Sequence, residues 1–548
     1  MVNAVVWRGS MTAAAVVLAV FGGGCENPVI VKGVENQPPP GGQVCIARGA
    51  SGEFVSRSCL GLYPPRAVNV LFVVDHGPHA LGLQTRLADA MPAFVDAIAQ
   101  LNPPPYLRIG FTTSQDGNPA CASGPGVAGR LWRASCREHP EDFVTPDGDR
   151  FADTCAPRCS LDHLDNSAEL DPSDAPWLVI GPDADGTVDR EHAAETLACN
   201  ALLGASDCPF SAPLASAELA WARAMETGEA QYGFVRGDPT VMVIVSGGSE
   251  CSITSAGVAA FDPDGDRSLW SDPEAEAATA ATCFAAGNVC TAPDALASIS
   301  CLPANIGLDG TPNEEEPVLD DLDGSRARFE SFGAYLNQIF PDLPISVFVV
   351  AGVDEADPTT RPRFRAPTDA AVAAQLGVQP LCEIEGDPVV PASRLHAFAV
   401  GEEPPPADLL EIDIDSACAE SWEPALERVA DGIASKIRPM CVPACIRDMD
   451  EDTPGLQPEC RFTADSPDGE GGLIQYELPR CEDTDVIPDD EDACWFPKTA
   501  DQRHPRCAQE GYNLEMGLRW RGPVPGGTAI LLDCELSQNK TEDCPDLR

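Results

Sequence analysis

"VNVLFVVDHGPHA", residues Val68 to Ala80, decides the fold. Val68–Val74 is an unbroken apolar run rich in β-branched residues, the pattern of a strand buried on both faces. The run ends on Asp75, so a carboxylate is delivered to a sheet edge, a frequent place for a ligand or a metal. The residues that follow, His76, Gly77, Pro78 and His79, pose the question of whether that site works or is a relic.

Downstream, "LQTRLADAMPAFVDAIAQL" carries Leu83, Leu87, Met91, Phe94, Val95, Ile98 and Leu101 at three- and four-residue steps. That spacing predicts an amphipathic helix, which Pro92 should kink or break. "YLRIGFTTS" (Tyr106–Ser114) is the next strand. "LACNALLGASDCPF" (Leu197–Phe210) and "PLASAELAWARAME" (Pro213–Glu226) read as helices, and "TVMVIVS" (Thr240–Ser246) as a buried strand ending at "GGSECS". "RARFESFGAYLNQIF" predicts a helix, "ISVFVVAGV" a strand, "SRLHAFAV" (Ser393–Val400) a last strand and "SWEPALERVADGIASKI" a final helix. Alternating strands and helices imply an α/β fold with a mostly parallel sheet covered on both faces.

The chain has 548 residues, 44% of them hydrophobic, enough for a real core and for two or three domains. Its 86 acidic and 35 basic side chains give a formal charge of −51. That balance argues against nucleic acid and against adsorption to anionic lipid, and suits a soluble surface, calcium or a cationic partner. Only Lys32, Lys436, Lys498 and Lys540 are lysines; with abundant Ala, Pro and Arg this reads as a GC-rich bacterial coding sequence. Residues 1–25 read as a targeting segment. Arg8 precedes the apolar run "MTAAAVVLAVF", too short to span a bilayer, and "GGGC" leads to Cys25. This resembles a bacterial lipoprotein signal with Cys25 as the acylated residue, although Gly22 stands where Leu is usual; a plain secretory signal is the alternative.

Of 23 cysteines, 22 remain when Cys25 is set aside, enough for eleven bridges in an oxidising compartment. Cys45 with Cys59, and Cys199 with Cys208, are the expected local pairs. "CAPRC" (Cys155, Cys159) and "CVPAC" (Cys441, Cys445) have ligand-like spacing but no second pair at zinc-ribbon distance, so bridges are expected there too. The domain reading is a signal at 1–25, a tether with a disulfide loop at 26–60, an α/β domain at 61–440 with Cys-rich insertions at about 115–192 and 251–325, and a small Cys-rich, β-rich domain at 441–548.

"VNVLFVVD", a long helix, "LRIGFTTS" and then "VMVIVS" together resemble the von Willebrand factor A (VWA) domain. More narrowly, with "CNALLGASDCPF", "SECS", "SAC" and the tail containing "CVPAC", "PEC", "PRC" and "ACW", nearly the whole chain resembles the exported lipoproteins of myxobacteria that carry such a domain. The resemblance implies a VWA-like, Rossmann-like sheet. It also implies a metal-ion-dependent adhesion site, in which Asp-x-Ser-x-Ser ends the first strand and a Thr and an Asp come from two later loops. Magnesium needs oxygen ligands in octahedral array. Mapped here, Asp75 matches, but Gly77 and His79 replace the serines and Gly247 stands where the Asp is expected. Ser211 is the nearest hydroxyl for the second loop. Asp75 is therefore expected to act as a local acceptor at the strand end, worth about 1 kcal/mol, the size of a lost cap.

Competing readings remain. Asp75, His76 and His79 could start a zinc or nickel site. "DADGTVD" (Asp183, Asp185, Asp189), "DPDGD" (Asp262, Asp264, Asp266) and "DMDED" (Asp448, Asp450, Asp452, with Glu459 at the twelfth place) put carboxylates at alternate positions, as calcium loops do. The last lacks the sixth-place Gly and carries Pro454 at the seventh, and solvated acidic turns account for all three. No Gly-x-Ser-x-Gly, Walker or His-Glu-x-x-His motif is present. "SGGS" (Ser246–Ser249) has no assignable base. The expectation is a non-enzymatic envelope lipoprotein on the outer membrane of a Gram-negative bacterium. It would be an interaction or adhesion module with no cofactor except calcium in the acidic loops, an unidentified protein partner, no nucleic acid, and membrane contact only through Cys25. The alternatives are a metal-dependent adhesin with an altered ion site at Asp75, and an exported hydrolase using His76, His79, His163 or His396. Mass analysis of membrane-extracted protein should find a diacylated or triacylated Cys25 at the mature N-terminus; an intact chain shed to the medium with a free Cys25 thiol would refute the anchor.

Overall fold

The computed structural model describes residues 43–547 except 49–53, 63–66, 122–128, 165–175, 226–238, 292–297, 522–528 and some shorter stretches of up to five residues; side chains are described from Ala67 onward. At the centre is a six-stranded sheet: β1 (Val68–Val74), β2 (Leu107–Thr113), β3 (Leu178–Ile180), β4 (Thr240–Val245), β5 (Ile345–Ala351) and β6 (Leu410–Ser416), in spatial order β6-β5-β4-β1-β2-β3. All pairs are parallel except β2 with β3, which is antiparallel at one edge. Mixed α/β architecture with a parallel-rich sheet thus matches the expectation. The order reverses between β1 and β4, so Asp75 and Ser246 emerge side by side at the carboxyl ends of the strands.

Six helices cover the two faces. Helices α1 (Leu81–Ala99), α2 (Arg190–Ala201) and α6 (Glu423–Lys436) pack with Val70, Phe72, Val74 and Phe111 on one face. Phe72 stacks on Phe111 at 4.8 Å and meets Phe94 of α1 edge-on at 6.1 Å. Helices α3 (Pro213–Met225), α4 (Leu322–Ile339) and α5 (Ser393–Val400) pack with Leu71, Val73, Met242 and Val347 on the other. The alternation of β1 between the two cores is the period-2 geometry of a strand. Pro92 lies on the exposed side of α1, and the helix runs through it unbroken.

Three expectations are corrected. "SRLHAFAV" is helix α5, not a strand: Leu395, Phe398 and Ala399 enter one core at a helical spacing that eight residues cannot distinguish from a buried strand. The last strand is instead "LEIDIDS", an edge strand whose acidic alternate positions disguise it. The helix expected over Leu197–Phe210 stops at Ala201, and β3 lies inside the stretch read as irregular.

Ten disulfides are present among the described residues, marking an exported or extracellular protein. Cys199 bonds Cys159 and Cys208 bonds Cys121, so the expected Cys199–Cys208 pair is wrong: short sequence separation misled where the insertion folds back over α2. Cys136, Cys155 and Cys159 converge as metal ligands would, but the bonds Cys136–Cys155 and Cys159–Cys199 consume all three thiols. Cys441 and Cys445 bond Cys507 and Cys544. The Cys45–Cys59 pair and Cys25 lie outside the described side chains.

Beyond residue 440 a second core forms around Phe462, Trp495, Met516 and Leu532. Its main sheet contains residues 460–467, 473–478 and 529–535, and also the strands Gln43–Arg48 and Phe54–Leu62, the latter pairing antiparallel with 529–535. The stretch expected to be a tether with a disulfide loop therefore contributes two strands to the C-terminal sheet. No helix of the described residues is long and apolar enough to cross a membrane.

At the far end of α6, Lys436 is buried, with its Nζ 3.3 Å from Glu411 of β6. Burial lowers its pKa more than the half-exposed Glu411 raises it. Desolvation thus outweighs pairing, and the penalty acts in full at neutral pH. Lys436→Met should raise the unfolding free energy by about 1 kcal/mol, read as a higher denaturant midpoint. The gain should shrink as pH rises through the depressed folded pKa and vanish above the unfolded value, about 10.4, where neither state holds the proton.

Candidate functional site

The carboxyl edge of β1 and β4 gathers the residues of interest. Asp75 is buried, and both its oxygens accept hydrogen bonds. Oδ1 accepts from the Gly77 backbone N–H at 3.2 Å and from Gln115 Nε2 at 2.8 Å, with Ser114 Oγ at 3.4 Å. Oδ2 accepts from the backbone N–H groups of Gly247 and Gly248 at 3.1 and 3.2 Å. The donors come from the ends of three strands, β1, β2 and β4. Gln115 is held in turn: its Oε1 accepts from the His76 N–H at 2.9 Å and from Ser114 Oγ at 2.8 Å. Ser211 Oγ donates to Ser114 Oγ at 2.9 Å and lies 3.3 Å from Ser246 Oγ.

Four N–H groups aimed at one carboxylate form an anion cradle. A magnesium ion needs oxygens converging on a point, and around Asp75 the positive ends of amide dipoles occupy its acceptor directions instead. The donor set does not fit that ion. The cleft beside it, lined by Gly77, Pro78, Ser211, Gly248 and Pro388, holds about 60 Å³, the room of about two waters.

The two histidines do not join Asp75. His76 contributes its backbone to Gln115 and to Ser206, and the Nδ1 of His79 is 4.0 Å from Asp387, away from the cradle. Gly247, read as the missing Asp, proves to act through its N–H. Sequence reasoning missed Gln115, Ser114 and Gly248. Their signal was position: each follows the apolar run of a central strand. It also missed Asp387, which comes from 305 residues beyond Gly82, the residue it bonds, and no local pattern marks it.

The acidic loops do not converge. Asp262 and Asp266 each accept from their own turn, Asp264 N–H and Ser268, and stand in solvent. Asp448 accepts from the Asp450 and Gln457 N–H groups, and Glu459 is exposed on the following segment. Asp452, Asp183 and Asp185 lie outside the described residues, and Asp189 caps α2 by accepting from His192 N–H. Among the described residues the three cysteines above are the sole metal-like cluster.

No known protein-family profile matches the chain, and no curated protein matches it. Among solved structures, the open conformation of the pilus adhesin SpaC from Lactobacillus rhamnosus GG is similar at a TM-score of 0.24 and 9% identity, over 92% of this chain and 44% of that one. The human COPII-coat protein Sec24c is similar at a TM-score of 0.25 and 7% identity, over 87% of this chain and 40% of that one. The chain spans less than half the length of these structures, and at such scores no shared fold or role follows.

The cradle raises the cost expected for losing Asp75. Asp75→Ala would strand the Gly77, Gly247 and Gly248 amides and Gln115, a loss of about 3 kcal/mol, well above that of a solvent-exposed cap. Asp75→Asn should recover only part of the loss, because its one oxygen still accepts from one pair of N–H groups while its Nδ2 faces the other pair as a second donor. Urea unfolding should place the Asn variant between Ala and wild type; an Asn variant of wild-type stability would refute the cradle.

Proposed function

We propose that the chain is an exported, non-enzymatic protein-interaction module of the VWA type, anchored at the cell envelope through Cys25, in which hydrogen bonds have replaced the adhesion-site ion. Strand order supports the fold assignment. The chain starts at the middle of the sheet, moves out through β2 to an antiparallel edge at β3, and returns through β4, β5 and β6. The observation that carries the functional reading is the sealed carboxylate. Asp75 sits where an adhesion-type ion would be held, yet its oxygens are committed to four N–H donors. The same commitment argues against a hydrolase at this edge. Both oxygens of Asp75 already accept from N–H donors, and Ser211 and Ser246 bond within the hydroxyl cluster rather than to a histidine.

What remains is a rigid surface at the carboxyl end of a parallel sheet, the usual place for recognition in such folds. Titration of metal-stripped protein with magnesium and with manganese, wild type beside Asp75→Ala, tests the reading. No saturable binding is expected in either. Tight binding lost in the variant would replace this reading with a metal-dependent adhesin.

A further inference from the structure

Two of the ten bridges join residues that stand directly opposite each other on antiparallel strands. Cys290 of the strand Asn288–Thr291 is in register with Cys301 of the strand Ser298–Pro303, and Cys460 is in register with Cys534. Their Cα atoms are 4.0 and 4.1 Å apart, whereas the other eight bridges span 4.9 to 6.0 Å. Opposed positions of a sheet hold their Cβ atoms about 4.5–5.5 Å apart, and a bridge needs them at about 3.8 Å. A bridge in this register therefore pulls against the sheet that carries it and opens more easily than one between loops or helices.

The two differ in what covers them. Cys460 and Cys534 lie on inner strands of the C-terminal sheet, each strand with a neighbour on both sides, and Cys534 is fully buried. Cys290 lies on the outer strand of a three-stranded sheet. Of the cysteines in the ten described bridges, Cys290 alone is exposed. Val289 and Leu302, opposed beside it, are exposed as well. Cys301 is buried in a small cluster with Phe284, Phe364, Val378 and Val390. A thiolate attacks in line with the S–S bond, so solvent-side approach to Cys290 makes the buried Cys301 sulfur the one that leaves.

That cluster is also a wall of the cleft at the Asp75 edge. Leu376 and Val390 belong to both, and the Val390 N–H donates to the Gly247 carbonyl at 2.9 Å. The base of the hairpin is pinned independently. Ser393 of α5 donates to Asn288 Oδ1, and the Ala304 N–H donates to the Gly287 carbonyl at 3.0 Å. Opening the bridge thus frees the outer part of the hairpin, Cys301 included, while its base stays in place.

We propose that Cys290–Cys301 is a thiol–disulfide exchange site for a dithiol, and that its redox state sets how firmly the wall of the Asp75 cleft is held. One thiolate of the dithiol attacks Sγ of Cys290; the S–S bond breaks, and Sγ of Cys301 leaves with the electron pair and takes up a proton. The second thiol of the reductant then displaces Cys290 from the mixed disulfide. The bridge gains two electrons and two protons, and the dithiol becomes a disulfide. The consequence for recognition rests on the interaction-module reading; the exchange chemistry does not.

Two measurements test it. Oxidised protein held under native conditions in graded dithiothreitol, then alkylated and mapped by mass spectrometry, should label Cys290 and Cys301 at a dithiol concentration at least about tenfold below that opening any other described bridge, Cys460–Cys534 included. Labelling of another bridge first, or of all bridges together, would overturn the site. Hydrogen exchange of the selectively reduced protein, and of the double variant Cys290→Ser/Cys301→Ser, should show residues 299–302 and the Val390 amide exchanging about tenfold faster than in the oxidised protein, with Val241–Val245 unchanged. An unchanged Val390 amide would overturn the coupling to the cleft; should the double variant not fold, the reduced wild type decides alone. Saturable magnesium binding at Asp75 would remove the interaction reading and leave the exchange site standing, so the two fail separately.

Discussion

The Asp75 carboxylate and its N–H donors hold the carboxyl edge of the sheet together. A parallel sheet leaves its strand ends as separate loops, each with backbone groups to satisfy. Here one side chain from β1 satisfies the amides at the start of the β4 loop and the amide of Gln115 beyond β2, so three loops share one acceptor. An ion could join these loops by drawing oxygens inward; a buried carboxylate does so by drawing N–H groups inward. The two solutions are electrostatic opposites, and a chain that adopts one has removed the ligands of the other. At Gly247 it is a backbone amide, not a side chain, that comes within 3.1 Å of Asp75.

With that edge fixed, the insertions become attachable. Glu250, five residues beyond β4, is buried and accepts from Arg394 Nε of α5 at 2.9 Å, while its other oxygen accepts from the Ser252 N–H. Arg394 also reaches the Asp320 carbonyl, tying the second insertion to the face carrying α5. A buried pair of this kind adds little net stability but is costly to break, so it specifies where the insertion sits rather than how strongly the domain folds. Cys251–Cys283 closes the covalent frame beside it.

The sequence made the sheet legible because burial on both faces writes itself as long apolar runs, and β1, β2, β4 and β5 all have them. It concealed β6, whose Glu411, Asp413 and Asp415 belong to an edge, and Asp413 and Asp415 are matched by Arg428 of α6. It concealed α5, because eight residues hold barely two helical turns. At the site, Asp75 was legible as a carboxylate at a strand end, but its partners were not, because backbone amides carry no residue identity and Asp387 comes from a hairpin 305 residues beyond Gly82, the residue it bonds. Disulfide pairing failed for the same reason: Cys199 lies in α2 and Cys208 beyond its end, and each bonds a cysteine of the preceding insertion, Cys159 and Cys121.

The distribution of charge explains why covalent frames recur. Residues 251–325 carry fourteen acidic side chains and one basic one, Arg267, which spends its hydrogen bonds on the carbonyls of Pro263, Pro273 and Ala275. Like charges at that density repel, and surface ion pairs cannot offset them when cations are so few. A disulfide acts on the unfolded chain instead, by restricting it, and does so independently of charge and of salt. Cys251–Cys283 and Cys290–Cys301 lie within this acidic segment. The chain can therefore carry a formal charge of −51 and still keep long irregular loops folded against the sheet. Its acidity lies mostly on the surface, while the interior is closed by sulfur and by buried carboxylates such as Asp75, Glu250 and Asp387, each engaged by donors of its own chain.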